Sequence, residues 1–156
     1  MPAINIKPFV QTSGMCGPTA LRMVFDFYGL AMSEEELINL THCDPNIGIE
    51  AETMVKVSDK LGFKTIIKDN ATFDDLREYV VYKKIPIIVD WFSEDDGHYS
   101  VVVDIDNQNI YLQNPEFKEI QKISLDKFKR VWFDFQGDFI GSKEDMIIRR
   151  VIAIYK

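Results

Sequence analysis

The hydrophobic pattern of this chain changes once along its length, and that change constrains the fold more than any other feature. In the first third, apolar residues recur at three- and four-residue spacing, as in the run that ends at Gly29. From Phe63 onward, and above all after Ile85, they form short β-rich runs instead. Helices followed by neighbouring strands predict an α+β fold, in which N-terminal helices pack on a C-terminal antiparallel sheet.

Local start and stop signals place the individual elements. We expect helices at about 17–28, from Ser33, from Met54 to Gly62, from Thr72, and at 125–131. We expect strands at 63–67, 85–91, 99–105, 110–113 and 146–155, with a hairpin turn at 106–109 and a loop over 134–143. The chain has no internal repeat, low-complexity segment or linker, so residues 1–156 are expected to form a single domain.

Charge and length exclude several classes of function. The chain has 156 residues with 18 basic and 25 acidic side chains, which gives a formal net charge of −7. Because a net-acidic surface repels phosphate backbones, nucleic acid is not an expected partner. The longest apolar runs have the length of strands, far short of the roughly 20 residues that span a bilayer, so direct membrane insertion is not expected. Two cysteines and the lack of a basic and apolar leader favour the cytoplasm.

The strongest local signal for chemistry is a cysteine set between glycines just before a helix. Cys16 lies between Gly14 and Gly17, and Pro18 follows. The helix N-terminus would stabilise a thiolate and lower the pKa of the thiol, and the glycines would let a substrate backbone approach closely. Backbone amides there, and the side-chain amide of Gln11, could hold an oxyanion. The same pattern also fits a buried cysteine that packs as a small hydrophobic residue.

The second signal is a histidine at the start of a strongly β-forming run. A base at the start of a strand can face a cleft, and His98 has that position. Asn114 ends the return strand of the predicted hairpin, so antiparallel pairing would place it nearly opposite His98, where it could orient the imidazole. The alternative interpretation is a surface histidine and a turn asparagine before Pro115.

An acidic loop at 93–96 directly precedes this strand. Its three carboxylates, from Glu94, Asp95 and Asp96, would line one rim of a cleft around His98 and favour a basic substrate segment. The alternative is a solvated loop with no part in substrate choice, since exposed charges are screened by salt.

The soft metal ligands of the chain suggest a zinc site only weakly. They are Cys16, His42, Cys43 and His98, and their spacing lacks the close pairs that short loops bring to structural zinc sites. We therefore expect no metal and no cofactor.

Taken together, these motifs resemble the bacteriocin-leader (double-glycine) peptidase family and its stand-alone relatives, within the papain-like cysteine peptidase superfamily. The resemblance rests on Gln11, on residues 16–21, on residues 97–102, and on Asn114 with the proline that follows. It implies a papain-like cysteine peptidase fold with Cys16 as the nucleophile, His98 as general base and acid, Asn114 as the orienting residue and Gln11 as an oxyanion donor. A peptide or protein substrate follows from the same resemblance.

The chain departs from the family pattern in two respects. Leader peptidases usually have an aspartate before the proline, whereas Asn114 is neutral and stabilises an imidazolium less. They are also generally fused to a membrane transporter with an ATP-binding domain, which this chain is too short to contain, so a separate transporter partner stays open. Three functions remain: a cysteine peptidase that works through an acyl-enzyme, an acyl-transferring enzyme with the same triad, and a non-catalytic peptide-binding protein.

Overall fold

The computed structural model describes residues 1–94 and 96–156. Its helices are α1 (Cys16–Phe27), α2 (Glu34–Thr41), α3 (Ala51–Lys60), α4 (Phe73–Leu76) and α5 (Leu125–Val131). A π-helical segment, Arg77–Tyr82, continues α4, and a 3₁₀ turn spans Lys143–Asp145. The strands are β1 (Lys64–Lys68), β2 (Ile87–Ser93), β3 (Asp96–Ile105), β4 (Asn109–Gln113), β5 (Gln121–Ser124), β6 (Phe133–Phe135), β7 (Met146–Ile148) and β8 (Arg150–Tyr155). Among these helices, none combines the length and the apolar character that crossing a bilayer requires.

Six strands form one antiparallel sheet in the order β1-β8-β2-β3-β4-β5, and β6 pairs with β7 in a separate two-stranded ribbon. Helix α1 packs against β3 and α2, α3 packs against β1, and α5 packs against β2, β4 and β5. The helices and the large sheet contribute to one hydrophobic core. The predicted α+β architecture, with N-terminal helices on an antiparallel sheet, is confirmed.

Side-chain caps begin three helices where the sequence signals them. The hydroxyls of Ser33, Thr72 and Ser124 each accept a hydrogen bond from the backbone N–H three residues later, at 3.1 to 3.2 Å. Helix α1 differs, because it begins at Cys16 itself and its N-cap residue, Met15, makes no side-chain capping bond. The first-turn N–H groups around Cys16 are therefore not occupied by a capping side chain.

The prediction of one C-terminal strand over 146–155 is wrong. The backbone of Arg149 has a φ of 48°, in the left-handed region, and this reversal separates β7 from β8. Strand β7 leaves the large sheet to pair with β6, whereas β8 lies between β1 and β2. Strand β6 itself lies partly in the predicted loop at 134–143, because three residues are too few to show a strand periodicity.

The large sheet also begins earlier in the chain than predicted. Strand β1, formed before residue 85, is its edge strand and pairs with β8 at the other end of the chain. Strand β5 was not predicted and closes the opposite edge. Strand β5 has four residues and is exposed or half-buried over most of its length, so local hydrophobicity did not reveal it, whereas β1 lies where the strand at 63–67 was predicted. Strand β2 starts at Ile87, after Pro86, which has no N–H to give to the ladder.

Candidate active site

A cavity of about 410 Å³ brings together three of the four residues that the sequence singled out. Gln11, Cys16 and His98 all line it, and Asn114 lies behind His98. The remaining lining comes from the turns that precede α1, from the loop after α2, from the β2–β3 hairpin and from the turn after β4: Ser13, Gly14, Pro45, Asn46, Ile47, Gly48, Ser93, Asp96, Gly97 and Glu116. Four separate segments of the chain therefore line this cavity together.

The glycines that flank Cys16 are required by packing within the chain. A side chain on Gly14, which has a φ of 79°, would overlap the backbone of Pro45. A Cβ on Gly17 would lie 2.6 Å from Cγ1 of Ile49, which already contacts that position. The loop after α2 thus lies directly against the cysteine turn. This corrects the expectation that these glycines leave room for a substrate backbone.

Glu34, which sequence reasoning missed, holds the segment before Cys16 in place. Its carboxylate accepts hydrogen bonds from the backbone N–H of Thr12 at 3.0 Å and from the Thr12 hydroxyl at 2.8 Å. It also accepts a bond from the hydroxyl of Thr19, in the first turn of α1, at 3.1 Å. One acidic residue at the start of α2 therefore joins both sides of the cysteine turn. In sequence, Glu34 is indistinguishable from the other acids that begin α2.

Burial governs the titration of Cys16. Burial raises the pKa of the Cys16 thiol to about 11, and negative charge on Asp90 and Cys43 acts in the same direction. The backbone N–H groups of Tyr99 and Gly17 lower the pKa but do not offset burial. The expectation of a thiolate stabilised by the helix N-terminus is therefore wrong for the unliganded site, since desolvation outweighs the two N–H groups.

This titration predicts slow alkylation of Cys16 at neutral pH. In a Cys43→Ser variant, where Cys16 is the one thiol, iodoacetamide should react at a rate that rises with the thiolate fraction towards about pH 11. The measurement is the modification rate across pH by mass spectrometry, with the unfolded chain in denaturant as the reference. A rate that is already at its plateau near neutral pH would contradict the prediction and would indicate a preformed thiolate.

The orientation of His98 follows from a hydrogen bond to Asn114. Nε2 of His98 lies 2.6 Å from Oδ1 of Asn114, a side chain that is only 1% exposed. The same Oδ1 accepts the backbone N–H of Glu116 at 2.9 Å, and Nδ2 of Asn114 donates to Gln121 at 2.9 Å. Because the amide oxygen of Asn114 can only accept, Nε2 carries the proton and donates. Nδ1 of the neutral imidazole is then left free to accept a proton.

The route by which Asn114 reaches His98 differs from the predicted register. Val101 pairs with Gln113, so Asn114 follows the ladder at the level of Ser100, two residues from His98. The ladder pairs Ile105 with Ile110, so the hairpin turns later than predicted. The one-residue register shift between Val102 and Asp104 then makes the offset from His98 even, which keeps the side chain on the same face of the sheet. The two side chains still meet, although the residues are not directly opposite each other.

A carboxylate that the sequence did not indicate lies near the other nitrogen of the imidazole. Oε1 of Glu116 is 3.7 Å from Nδ1 of His98, and the Glu116 side chain is 48% exposed. Its position follows from the turn after β4, which Asn114 caps and which the N–H of Gln11 joins through a 2.8 Å bond to Pro115. Glu116 and Asp96 therefore bring negative charge to the cavity.

The four soft metal ligands that the sequence offers do not come together. Cys16 and His98 line the cavity, but Cys43 is buried with its sulfur 3.8 Å from the carbonyl oxygen of Gly14. His42 is exposed and caps the end of α2 in a left-handed conformation. Among residues 1–94 and 96–156, no group of three or more His, Cys, Asp or Glu side chains is arranged to hold a metal ion.

Solved structures with the same fold include a double glycine motif protease and the peptidase domain of a transporter. A double glycine motif protease from an AMS/PCAT transporter, in complex with the leader peptide, has a TM-score of 0.74 and 17% identity, covering 99% of this chain and 93% of that one. The peptidase domain of Streptococcus ComA, a bifunctional ABC transporter involved in a quorum sensing pathway, has a TM-score of 0.68 and 24% identity, covering 96% of each chain. The predicted fold class is confirmed by these likenesses.

Comparisons of sequence identify related proteins and the family of the chain. The sublancin-168-processing and transport ATP-binding protein SunT of Bacillus subtilis is 25% identical over 136 residues, or 83% of this chain and 18% of that protein. The transport/processing ATP-binding protein ComA of Streptococcus pneumoniae is 29% identical over 120 residues, or 75% of this chain and 16% of that protein. The chain thus spans less than a fifth of the length of these relatives. Because the Peptidase C39 family matches residues 7–135, which include the cysteine turn and the histidine strand, the chain belongs to that family.

Proposed function

We propose that this protein is a cysteine peptidase that hydrolyses peptide bonds through Cys16, His98 and Asn114. The observation that carries the proposal is the 2.6 Å contact between Nε2 of His98 and Asn114, because it leaves Nδ1 as the basic nitrogen in a cavity that Cys16 also lines. A nucleophile, a base and an orienting group in this order form the arrangement that acyl transfer uses. Asn114 orients the ring without adding charge.

The reaction begins with proton transfer from a neutral thiol. Burial holds Cys16 protonated, so Nδ1 of His98 takes the Sγ proton as the sulfur attacks the scissile carbonyl carbon. The carbonyl electron pair moves to oxygen and forms an oxyanion. The protonated imidazole then gives its proton to the leaving amine, and the C–N bond breaks to leave a thioester between the acyl group and Cys16. Water, deprotonated by His98, attacks the thioester carbon. The C–S bond then breaks, the acyl group leaves as the carboxylic acid, and the imidazolium returns its proton to the sulfur.

The oxyanion is held by Gln11 and by a backbone N–H at the start of α1. Nε2 of Gln11 makes a bond of 3.2 Å to the carbonyl oxygen of the adjacent Thr12. Its Oε1 is buried and has no hydrogen-bond partner among the described residues. The side-chain amide of Gln11 is thus held by only one long hydrogen bond among the described residues, and it can turn its N–H group towards an oxyanion in the cavity. The uncapped first turn of α1 supplies the second donor.

The substrate is a peptide or a protein segment, and a transporter is a candidate partner. The solved relative from the AMS/PCAT transporter is a double glycine motif protease bound to a leader peptide. The curated relatives are transport and processing proteins that are several times longer than this chain. Peptides with two glycines before the scissile bond are therefore the first substrates to test.

The experiment that tests this function is a cleavage screen read by mass spectrometry. A peptide library with a Gly-Gly arm and a matched Ala-Ala arm is incubated with the protein, with and without an added amine nucleophile. Cleavage products together with a trapped thioester on Cys16 support the proposal. Products that carry the added amine instead of water indicate acyl transfer. Binding of peptides with neither cleavage nor thioester overturns the peptidase and leaves peptide binding.

The charge of the cavity predicts a preference among substrates. Of the three acids predicted for the rim, Asp95 lies outside the described residues and Glu94 is not among the residues that line the cavity. Asp96 does line it, and Glu116 joins it there. Lysine and arginine are missing from the described lining. We propose that the site favours a substrate with a basic side chain close to the scissile bond, because the two carboxylates attract it.

Removing these two charges should reduce cleavage of basic peptides selectively. In an Asp96→Asn, Glu116→Gln variant, kcat/KM for a basic peptide should fall several-fold relative to an acidic peptide at low ionic strength, and added salt should erase the difference. Asn at 96 keeps the oxygen that accepts the Gly97 N–H at 2.9 Å. Glu119→Gln, an exposed carboxylate outside the cavity lining, serves as the control. An unchanged ratio between the two peptides would show that the rim has no part in substrate choice.

A further inference from the structure

A buried acid, Asp90, lies on β2, the strand that pairs directly with the His98-bearing strand β3. Asp90 is only 2% exposed, and its Oδ1 is buried with no hydrogen-bond partner among the described residues. An ionised carboxylate in such a place is unfavourable unless another group compensates its charge. The peptidase mechanism described above does not use this residue.

A second carboxyl group meets Asp90 there. The carboxyl group of Asp134, on β6, lies close enough to the side chain of Asp90 for a hydrogen bond to form once one of the two is protonated. Oδ1 of Asp134 also accepts the backbone N–H of Phe135 at 2.8 Å. Since two carboxylates have no donor between them, their hydrogen bond needs one proton.

The neighbouring cation and phenol are engaged elsewhere. Arg150 is the β8 neighbour of Asp90, but its guanidinium binds Asp69 through two bonds, at 2.7 and 3.0 Å. Tyr99 is the β3 neighbour of Asp90, and its hydroxyl donates to a backbone carbonyl at 3.0 Å. Burial and the charge of Asp134 raise the pKa of Asp90 well above its usual range, and the charge of Arg150 offsets this only in part.

The pair also supports the residue that precedes His98. The carboxyl of Asp134 lies directly against Gly97, so that any side chain at position 97 would overlap it. Ribbon strand β6 packs against β2 and β3, and its two phenylalanines stack on Phe92, the β2 partner of Gly97. The β6–β7 ribbon thus contacts the cavity lining at Gly97, the residue that precedes His98.

We propose that Asp90 and Asp134 share one proton, and that this hydrogen-bonded pair holds β6 against Gly97 and so positions His98 at the cavity. Both acids are positioning residues, because they act on the reaction through the backbone of β3. The effect on catalysis rests on the proposed peptidase function. The shared proton is independent of that function, and its effect on unfolding can be measured without any substrate.

The shared proton has a defined consequence for stability. Because the folded chain binds this proton more tightly than the unfolded chain, stability falls as pH rises from the ordinary aspartate range to the raised pKa of Asp90, and levels off above it. One proton corresponds to about a tenfold change in the unfolding equilibrium constant per pH unit in that window.

The first test compares the pH dependence of unfolding in three proteins. Asp90→Asn replaces the protonated acid by an amide, which donates to Asp134 at every pH, so its unfolding constant should lack this tenfold slope. Asp104→Asn is the control, since Asp104 is a half-buried aspartate on the neighbouring strand β3 that accepts the N–H of the next residue at 2.8 Å. It should follow the unsubstituted protein. Equal slopes in all three proteins would overturn the shared proton.

The second test separates positioning from general stability through the conservative variant. Asp134→Ala should lower kcat/KM about tenfold or more, whereas Asp134→Asn, which can donate to Asp90, should recover most of it. If Asp134→Asn is as impaired as Asp134→Ala, or if Asp134→Ala is fully active, the positioning role is overturned. If no protein in the series cleaves peptides, the proposed function fails, while the unfolding slopes still decide on the proton.

Discussion

Replacing Cys16 with alanine is expected to abolish peptide hydrolysis while the protein stays folded. In the proposed mechanism the sulfur forms the thioester, so its loss should lower kcat/KM on the order of 10³-fold or more, which corresponds to about 4 kcal/mol of lost transition-state stabilisation. Alanine fits the space at the start of α1, where neighbouring positions are already buried among small and apolar residues. The measurement is kcat/KM for the best peptide of the screen, with the unfolding midpoint determined on the same samples.

Cys43→Ser is the matched control for this prediction. Cys43 is also buried and lies close to the cysteine turn, with its sulfur 3.8 Å from the carbonyl of Gly14, but it does not line the cavity. A hydroxyl can make the same contact, so activity should persist. Cleavage that survives in Cys16→Ala, or that is lost equally in Cys43→Ser, would assign the chemistry to some other group.

Local signals were sufficient for the elements that bear the site. The helix starts at Ser33 and Thr72 were both predicted, and at each of them the side-chain cap acts over only three residues. The helix that begins at Cys16 and the strand that carries His98 were also placed within one to three residues of their bounds. Such signals depend on neighbours in the chain, which a single sequence displays.

Contacts between distant segments could not be predicted in the same way. Glu34 holds Thr12 across 22 positions, Ile49 fills the space over Gly17, and Asp134 lies against Gly97. None of these pairs has a spacing rule, because each depends on how helices and strands pack after they have formed. The raised pKa of Cys16 belongs to the same class, since burial by the loop after α2 and by β3 overrides the local effect of the helix N-terminus.

These long-range contacts explain why the sequence suggested an activated cysteine, whereas burial in the structure raises the pKa of the thiol. A thiol kept protonated by burial is protected from adventitious alkylation and oxidation, because the thiolate is the reactive form. Attack then depends on a base that is correctly oriented at the moment the substrate is bound. In the proposed mechanism, activity therefore depends on the orientation of His98 and not on a thiolate that is already formed at Cys16.

Replacing His98 with alanine should therefore be nearly as costly as losing the nucleophile. With no base at Nδ1, the Cys16 thiol keeps its proton at neutral pH, and kcat/KM should fall on the order of 10³-fold. A double variant that lacks both Cys16 and His98 should be no worse than either single variant, because the two side chains act as one unit. The loss in His98→Ala should also become smaller as pH approaches about 11, where the thiolate forms without a base.

The other histidine of the chain provides the matched control for this series. His42 is exposed and has a left-handed backbone with a φ of 55°, a conformation that asparagine adopts readily, so His42→Asn should retain both fold and activity. The decisive measurements are kcat/KM for the single and double variants and the pH dependence of His98→Ala. If the losses of Cys16 and His98 multiply in the double variant, the two residues work independently, and the general-base role of His98 must be abandoned.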